Sequence, residues 1–269
     1  MADDVVSRVR GLLDVLGMKD AASALDEVIP GEPARRVAAL EAVERLLRVE
    51  ADRRLERRIQ RRIEASGLPE LPTLEGFDFD FQPSLDRSLV IDLATLGWVE
   101  RREDLVLIGE SGTGKSHIAK ALCVLACGRG IRVRYTTCAD LLQRLHASLA
   151  DRSLREVLKV YTRPELLLID DLGYDPIEQE HAREAQLLYK VLDARHGKLS
   201  TIVTSNLDAE QWADYLGDHY LTVALLDRLL YHGTSIVIKG PSYRLFKHNE
   251  RQKGLVRSPE ADATVSPDP

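Results

Sequence analysis

The sequence predicts an α/β fold in which a parallel sheet is flanked by helices and preceded by a small all-helical domain. Three observations predict it. Strand-like and helix-like segments alternate from about residue 100 onward, the order expected of a parallel sheet with crossover helices. A short apolar strand at 104–108 leads into the glycine-rich segment 109–116, and a helix follows. The N-terminal 65 residues, in contrast, show only helical periodicity.

The N-terminal region contains two helical blocks, 5–28 and 33–65, separated by a proline- and glycine-containing break from Ile29 to Pro33. Apolar residues keep helical spacing through the second block, at Leu40, Val43, Leu47, Leu55, Ile59 and Ile63. A linker from Gly67 to Pro72 follows this block, so we place a domain boundary near residue 70. The domains are then a helical domain at 1–70, a sheet domain at 71–254 and a tail at 255–269. The tail has little apolar content and is predicted to be disordered.

The sheet domain is predicted to contain strands at 104–108, 131–136, 166–170, 200–205 and 235–238. Its predicted helices are 115–128, 139–149, 182–195, 208–216 and 222–231. Ligands of such sheets bind at the carboxyl ends of the strands, so candidate residues are sought there.

The composition indicates a chain of the reducing cytoplasm. The start is acidic, without a signal-peptide pattern, and no apolar run approaches the ~18 residues that cross a bilayer. The three cysteines, Cys123, Cys127 and Cys138, have no metal-ligand spacing and are expected to be buried thiols. We therefore expect no membrane partner.

Positive charge is concentrated in one helix, although the net charge of the chain is −6. Ten arginines and five acids lie between Arg35 and Arg62. The functional interpretation is contact with the phosphate backbone of DNA, made by Arg53, Arg54, Arg57, Arg58, Arg61 and Arg62. The alternative is a solvated helix face with ion pairs four residues apart, such as Glu50–Arg54.

The glycine-rich segment matches the phosphate-binding loop pattern residue by residue. It reads Gly109-Glu110-Ser111-Gly112-Thr113-Gly114-Lys115-Ser116, and His117 follows. Its backbone N–H groups and the start of the next helix would surround the phosphates of a nucleotide. Lys115 would reach the outer phosphates, and the Ser116 hydroxyl would hold Mg²⁺. A chance glycine-rich turn does not account for the strand before it and the helix after it.

Two acids end the predicted strand at 166–170, where Leu166 to Ile169 are apolar. Asp170 would bind the water shell of Mg²⁺, and Asp171 would act on the attacking water as a base or an orienting group. The alternative is a strand end with a capping Asp, helped by Gly173.

Three further polar residues are candidates by position. Asn206 ends the strand Leu199–Ser205 and could hold the attacking water, or it could simply begin a turn. Arg228 lies in an apolar helix and could clamp a phosphoryl group, or it could pair with Asp227 or Asp218. Arg244 could reach nucleotide phosphates or lie at the surface.

The chain resembles the IstB-like helper ATPases of insertion sequences and their DnaC/DnaI helicase-loader relatives in the AAA+ group. The resemblance covers about residues 75–247. The motifs that carry it are Phe77–Phe79, Leu107–His117, Tyr135–Thr137, Leu168–Gly173, Thr204–Asn206, Asp227–Leu230 and Gly240–Arg244.

By this resemblance Lys115 and Ser116 match the Walker A residues, and Asp170 matches the Walker B residue. Asp171 occupies the catalytic acid position, where Glu is usual, and its shorter reach would slow hydrolysis. Asn206 matches sensor I, Arg228 the arginine finger that acts on a neighbouring subunit, and Arg244 a sensor II-like arginine. Only about 45 residues separate Asn206 from the tail, which is short for a standard helical lid.

The resemblance implies an ATP- and Mg²⁺-dependent regulator of transposition. Such a protein would form a homo-oligomer on duplex DNA, with ATP at subunit interfaces, and recruit a transposase. One alternative is a DnaC-like helicase loader, which shares the ATPase motifs. A second is a small-molecule P-loop kinase, which would leave the Asn206 and Arg228 motifs unexplained.

Overall fold

The computed structural model describes residues 2–29, 33–174 and 182–256. Five strands lie in this part of the chain: β1 Leu105–Gly109, β2 Val133–Thr137, β3 Leu166–Leu172, β4 Ser200–Ser205 and β5 Thr234–Ile238. They form a sheet in the order β2-β3-β4-β1-β5, and each neighbouring pair is parallel. The carboxyl ends of the five strands therefore meet at one edge of the sheet.

Helices surround the sheet and precede it. Their bounds are α1 Ala2–Val15, α2 Lys19–Val28, α3 Pro33–Ser66, α4 Arg87–Ala94, α5 Gly97–Glu100, α6 Lys115–Gly128, α7 Cys138–Ala150, α8 Leu154–Thr162, α9 Ala182–Arg195, α10 Gln211–Leu216, α11 His219–Tyr231 and α12 Tyr243–Val256. No helix in the described ranges is both long and apolar enough to span a bilayer.

Side chains alternate between the two faces of the sheet. On β3, Leu166 and Leu168 pack in the same core cluster as Ile118 and Leu122 of α6. The intervening Leu167 and Ile169 belong to the opposite cluster, with side chains of α7, α9 and α11. Burial on both faces explains why β3 begins with a continuous apolar run, Leu166 to Ile169. The three cysteines are buried thiols, as predicted.

The chain divides into two compact units between Arg62 and Ile63. The first unit has its own apolar core, which α1, α2 and the first half of α3 form. Buried residues of this core are Val5, Val9, Leu13, Leu25 and Leu40. An ion pair adds to it, since Arg8 Nε donates to Glu44 Oε1 over 3.1 Å.

The α/β prediction is confirmed, and each predicted strand lies within two residues of its observed bounds. The helical block predicted at 5–28 consists of two helices, α1 and α2, because a turn at Leu16–Met18 divides it. Gly17 has a φ of +69° there, which favours glycine and ends α1. The helix predicted from 208 starts at Gln211, and the one predicted from 222 starts at His219. Asp218 caps the latter by accepting a hydrogen bond from Leu221 N–H (3.0 Å).

Four helices have no counterpart in the prediction: α4, α5, α8 and α12. The last of them extends to Val256, so residues 255 and 256 are helical rather than part of a disordered tail. Residues 257–269 of that predicted tail, and residues 30–32 of the predicted break, lie outside the described residues.

Candidate nucleotide site

The glycine-rich loop connects β1 to α6, as its pattern predicts. Gly114 has a φ of +99°, and a Cβ at this position would lie 2.4 Å from Cε2 of Phe77. Gly112 has a φ of +83°, and a Cβ there would lie 2.1 Å from Oγ of Ser242. Both positions therefore require glycine for backbone conformation and for space. The loop is held between a segment that precedes the sheet and one that follows it.

Lys115 is the first residue of α6 and is 6% exposed. Its Nζ donates to the carbonyl oxygens of Gly109 (2.6 Å) and Glu110 (2.8 Å) within the loop. Burial lowers the pKa of Lys115, while the charges of Asp171 and Asp170 oppose that shift. The ammonium group therefore lies inside the loop, where phosphate oxygens would replace the carbonyls as its acceptors.

The strand β3 bulges at its two acids, and the bulge keeps Asp171 off the core face. The pairing of β3 with β4 shifts register between Ile169 and Leu172, and Asp171 has a φ of +60°. Leu172 takes the core face that regular alternation would give to Asp171. Asp171 instead lines the cavity beside the loop. A bulge of this kind re-aims one side chain without displacing the rest of the strand.

Asp170 is fully buried and faces α6. Its Oδ1 accepts from the Thr204 hydroxyl at 2.6 Å. Its Oδ2 lies 3.4 Å from Nζ of Lys120 and 3.5 Å from the hydroxyl of Tyr135. A buried carboxylate is thus supplied with both a cation and hydroxyl donors.

Burial raises the pKa of Asp171, and the negative charge of Asp170 adds to the shift. The cations Lys120, Arg244 and Lys115 oppose it. The Thr204 hydroxyl, which donates to Asp170, also accepts from Asp171 N–H (2.9 Å). The alternative of a strand end that leads into a turn is partly realised, because Tyr174 N–H lies 3.4 Å from Asp171 O. The side chain of Asp171 nevertheless lines the cavity.

A cavity of about 490 Å³ opens above these residues. It brings together most of the site residues that the sequence predicts: Ser111, Gly112, Thr113, Gly114, Lys115, Ser116, His117, Asp171, Asn206 and Arg244. Gly109 and Glu110 contribute the carbonyls that hold Lys115, whereas Asp170 is fully buried and does not line the cavity. The volume of this cavity falls within the range of small-molecule sites.

Aromatic and apolar side chains from the segment 70–82 form one wall of this cavity. The Phe77 and Phe79 rings make an edge contact with centroids 4.8 Å apart. His117 contacts the same segment, because its Nε2 lies 2.8 Å from Thr73 O and its ring 5.6 Å from that of Phe77. His117 therefore anchors this wall to α6, a role that its place after the loop did not reveal.

The start of α12 also lines the cavity and contributes Arg244 to it. Tyr243 N–H donates to Gly112 O (3.0 Å), and the Tyr243 ring packs 5.1 Å from that of Phe81. Gln82 Nε2 donates to Pro241 O at 2.8 Å. These contacts attach the chain after β5 to both the loop and the preceding wall.

Arg228 does not line this cavity. It lies on α11, where its Nε donates to Asp193 Oδ1 (2.8 Å) and its guanidinium stacks 4.6 Å from the Tyr189 ring centroid. The sequence alternative of an ion pair is thus realised, but with Asp193 of α9 rather than Asp227 or Asp218. Its side chain remains 25% exposed.

The arginines near the end of α3 are largely at the surface. Arg54 and Arg57 both pair with Glu50, at 2.9 and 3.0 Å, and this hydrogen bonding lowers the pKa of Glu50. The pairing four residues apart expected of a solvated face is therefore present. The other predicted DNA contacts, Arg53, Arg58 and Arg61, are exposed, and Arg62 is half-buried.

Comparison with known proteins adds to this geometry. The family model described as IstB-like ATP binding protein matches residues 11–252. The chain belongs to the IstB-like ATP-binding family. ATP is the nucleotide that the family description names, and the cavity offers the loop, lysine and acids to receive it.

Two relatives of this IstB-like chain cover most of its length. The insertion sequence IS232 ATP-binding protein of Bacillus thuringiensis subsp. berliner is 33% identical over 89% of this chain and 95% of its own. The insertion sequence IS21 ATP-binding protein of Pseudomonas aeruginosa is 40% identical over 78% of this chain and 77% of its own.

Solved structures show the same fold. The crystal structure of DnaI has a TM-score of 0.52 and 23% identity, covering 62% of this chain and 90% of that one. The replication initiator DnaA bound to AMPPCP and single-stranded DNA has a TM-score of 0.50 and 20% identity, covering 68% and 55%. The sheet and its helices are thus an AAA+ fold, as predicted.

Proposed function

We propose that this chain is an ATP-dependent regulator of transposition that acts in the cytoplasm. It would bind duplex DNA, assemble into a homo-oligomer with ATP at the subunit interfaces, and recruit or stimulate a transposase. The observation that carries the proposal is the cavity in which Lys115, Asp171, Asn206 and Arg244 converge at the strand ends. The insertion-sequence relatives support the biological setting.

The residues fit a nucleotide triphosphate with its metal. The backbone of the loop and Lys115 would bind the phosphates, and Arg244 would add a second cation from α12. The Ser116 hydroxyl and the Asp170 carboxylate are oxygen ligands of the kind that Mg²⁺ prefers. When bound there, Mg²⁺ would supply neutralisation of the phosphate charge.

Asn206 and Asp171 are placed to act on the attacking water. Both line the cavity, and their strands, β4 and β3, are neighbours in the sheet. The amide of Asn206 would hold the water, and Asp171 would orient it or accept its proton. An Asp has one methylene fewer than the usual Glu, and this favours slow hydrolysis. Slow hydrolysis suits a protein whose bound nucleotide sets the lifetime of an assembly.

The position of Arg228 supports a site shared between subunits. It lies outside the cavity of its own chain, on a helix with a largely exposed apolar surface. Exposed apolar residues of α11 are Tyr220, Val223, Leu230 and Tyr231. An exposed apolar surface beside the partly exposed Arg228 is suited to contact a second copy of this chain. Arg228 would then leave Asp193 and approach the γ-phosphate bound by the neighbouring subunit.

The insertion-sequence relatives favour transposition over helicase loading, because they match most of the chain at 33% and 40% identity. The likeness to DnaI shows a common fold and no more. A small-molecule kinase is the remaining alternative, and no feature of the described cavity favours it.

The test is ATP binding and hydrolysis, each measured with and without duplex DNA and the cognate transposase. We expect DNA and transposase to stimulate hydrolysis. Lys115→Ala should abolish ATP binding and ATP-dependent assembly, since the ammonium group at the loop is lost. Lys198→Ala, at an exposed lysine outside the cavity, is the control. Unchanged assembly in Lys115→Ala would refute the nucleotide switch.

A further inference from the structure

Lys120 is a third cation in the nucleotide site, and the phosphate-binding motif does not include it. It lies on α6 four residues after Ser116, so both side chains lie on the same face of the helix. Lys120 also lines the cavity, and its side chain is only 12% exposed. A lysine that is buried to this extent needs a compensating partner.

The partner is the Walker B carboxylate. Nζ of Lys120 lies 3.4 Å from Oδ2 of Asp170 and 5.4 Å from the ring centroid of Tyr135. Tyr135 also places its hydroxyl 3.5 Å from the same Oδ2. Two contacts, one ionic and one with an aromatic face, thus hold the ammonium between the buried Asp170 and the cavity that Lys120 lines.

The charges of the site show what this ammonium does. Asp170 and Asp171 are adjacent acids, and the negatively charged phosphates of ATP must bind next to them. In the absence of metal, these acids repel the phosphates. Lys120 offsets the charge of Asp170 directly, because its Nζ lies 3.4 Å from Oδ2 of that acid.

We propose that Lys120 is a resident cation that partly substitutes for Mg²⁺, so that this chain holds nucleotide with reduced dependence on the metal. The inference rests on the proposed function, in that the cavity binds ATP. Lys120 acts as a positioning residue: it holds the buried carboxylate of Asp170 in place beside the cavity and offsets its charge. Nucleotide could then remain bound when Mg²⁺ is absent.

The experiment measures the dissociation constant of a fluorescent ATP analogue for the full chain, in excess Mg²⁺ and in EDTA. The quantity of interest is the ratio of the two constants. In Lys120→Met we expect affinity in EDTA to fall about tenfold or more, because the negative charge of Asp170 near the phosphates would no longer be offset. Affinity in Mg²⁺ should fall less, so the ratio should rise at least about fivefold.

Two further variants distinguish charge from packing. Lys120→Arg keeps the cation and should keep the ratio of the unmodified chain. Tyr135→Phe removes the hydroxyl but keeps the ring, and should change the ratio less than Lys120→Met does. If Lys120→Met does not fold, as judged by thermal denaturation without nucleotide, Lys120→Gln replaces it.

An equal loss of affinity with and without metal would overturn the proposal and leave Lys120 a packing residue. Stronger binding in EDTA after loss of the charge would overturn it as well. Failure of the proposed function is distinguishable, because the unmodified chain would then not bind the ATP analogue even in excess Mg²⁺.

Discussion

The close approach of the P-loop to the chain after β5 gives a quantitative prediction for Gly112→Ala. A Cβ at residue 112 would lie 2.1 Å from Ser242 Oγ and 2.9 Å from Ser242 Cβ, and the φ of +83° is itself unfavourable for alanine. The backbone strain costs about 1–2 kcal/mol. Displacing Ser242 would also break the hydrogen bond from Tyr243 N–H to Gly112 O, worth about 1 kcal/mol.

The backbone strain and the lost hydrogen bond together cost about 2–3 kcal/mol. The loop avoids this cost if it leaves its phosphate-binding conformation. ATP affinity should therefore fall about 30- to 150-fold, since about 1.4 kcal/mol is a factor of ten. The same displacement would withdraw Arg244, two residues after Ser242, from the cavity. Fluorescent ATP-analogue titration measures the affinity, and thermal denaturation confirms that the variant is folded.

A double-mutant cycle with Ser242→Gly isolates the steric part. That change removes the two atoms nearest the added Cβ, so Gly112→Ala should cost less in its presence, by about 1 kcal/mol or roughly fivefold in affinity. The backbone strain should remain. Equal losses in both backgrounds would refute the reasoning, because they would show that Ser242 does not constrain the loop.

The subunit interface and the basic helix each have a direct test. Arg228→Ala should keep ATP affinity and lower DNA-stimulated hydrolysis about 10³-fold or more. Mixing this variant with Lys115→Ala should restore part of the ATPase rate, because one chain supplies the loop and the other supplies the arginine. A mixture without ATPase activity would contradict a shared site. Arg58→Gln with Arg61→Gln should reduce the slope of log affinity for duplex DNA against log salt by about 2. The control makes the same changes at exposed Arg152 and Arg155, and an equal reduction there would indicate a non-specific charge effect.

The strands and the loop could be predicted because their sequence patterns are local. Leu166 to Ile169 is a continuous apolar run that a strand buried on both faces requires, and Gly109 to Ser116 has a fixed spacing. The bulge at Asp171 could not be predicted in this way. It depends on the register of β3 against β4, which joins residues more than thirty positions apart.

Contacts between distant segments account for the other omissions. Phe77 precedes the sheet in the sequence, and Ser242 and Tyr243 follow it. Their contacts with the phosphate-binding loop depend on the folded chain and could not be predicted from local sequence. Lys120 is different, because its sequence contained a usable indication. A lysine four residues after Ser116 must lie on the same face of α6 as Ser116, the predicted Mg²⁺ ligand. Its partner, Asp170, was already a candidate.

One hydroxyl group serves both acids of β3. Thr204 donates to the side chain of Asp170 and accepts from the backbone of Asp171, and it stands two residues before Asn206. Loss of the Asp170 carboxylate would remove the acceptor of that hydroxyl, and a shift of β4 would disturb both its bond to Asp170 and its bond to the backbone of Asp171. The proposed metal ligand, the backbone of the proposed catalytic acid and the strand that ends before Asn206 are therefore linked through one side chain.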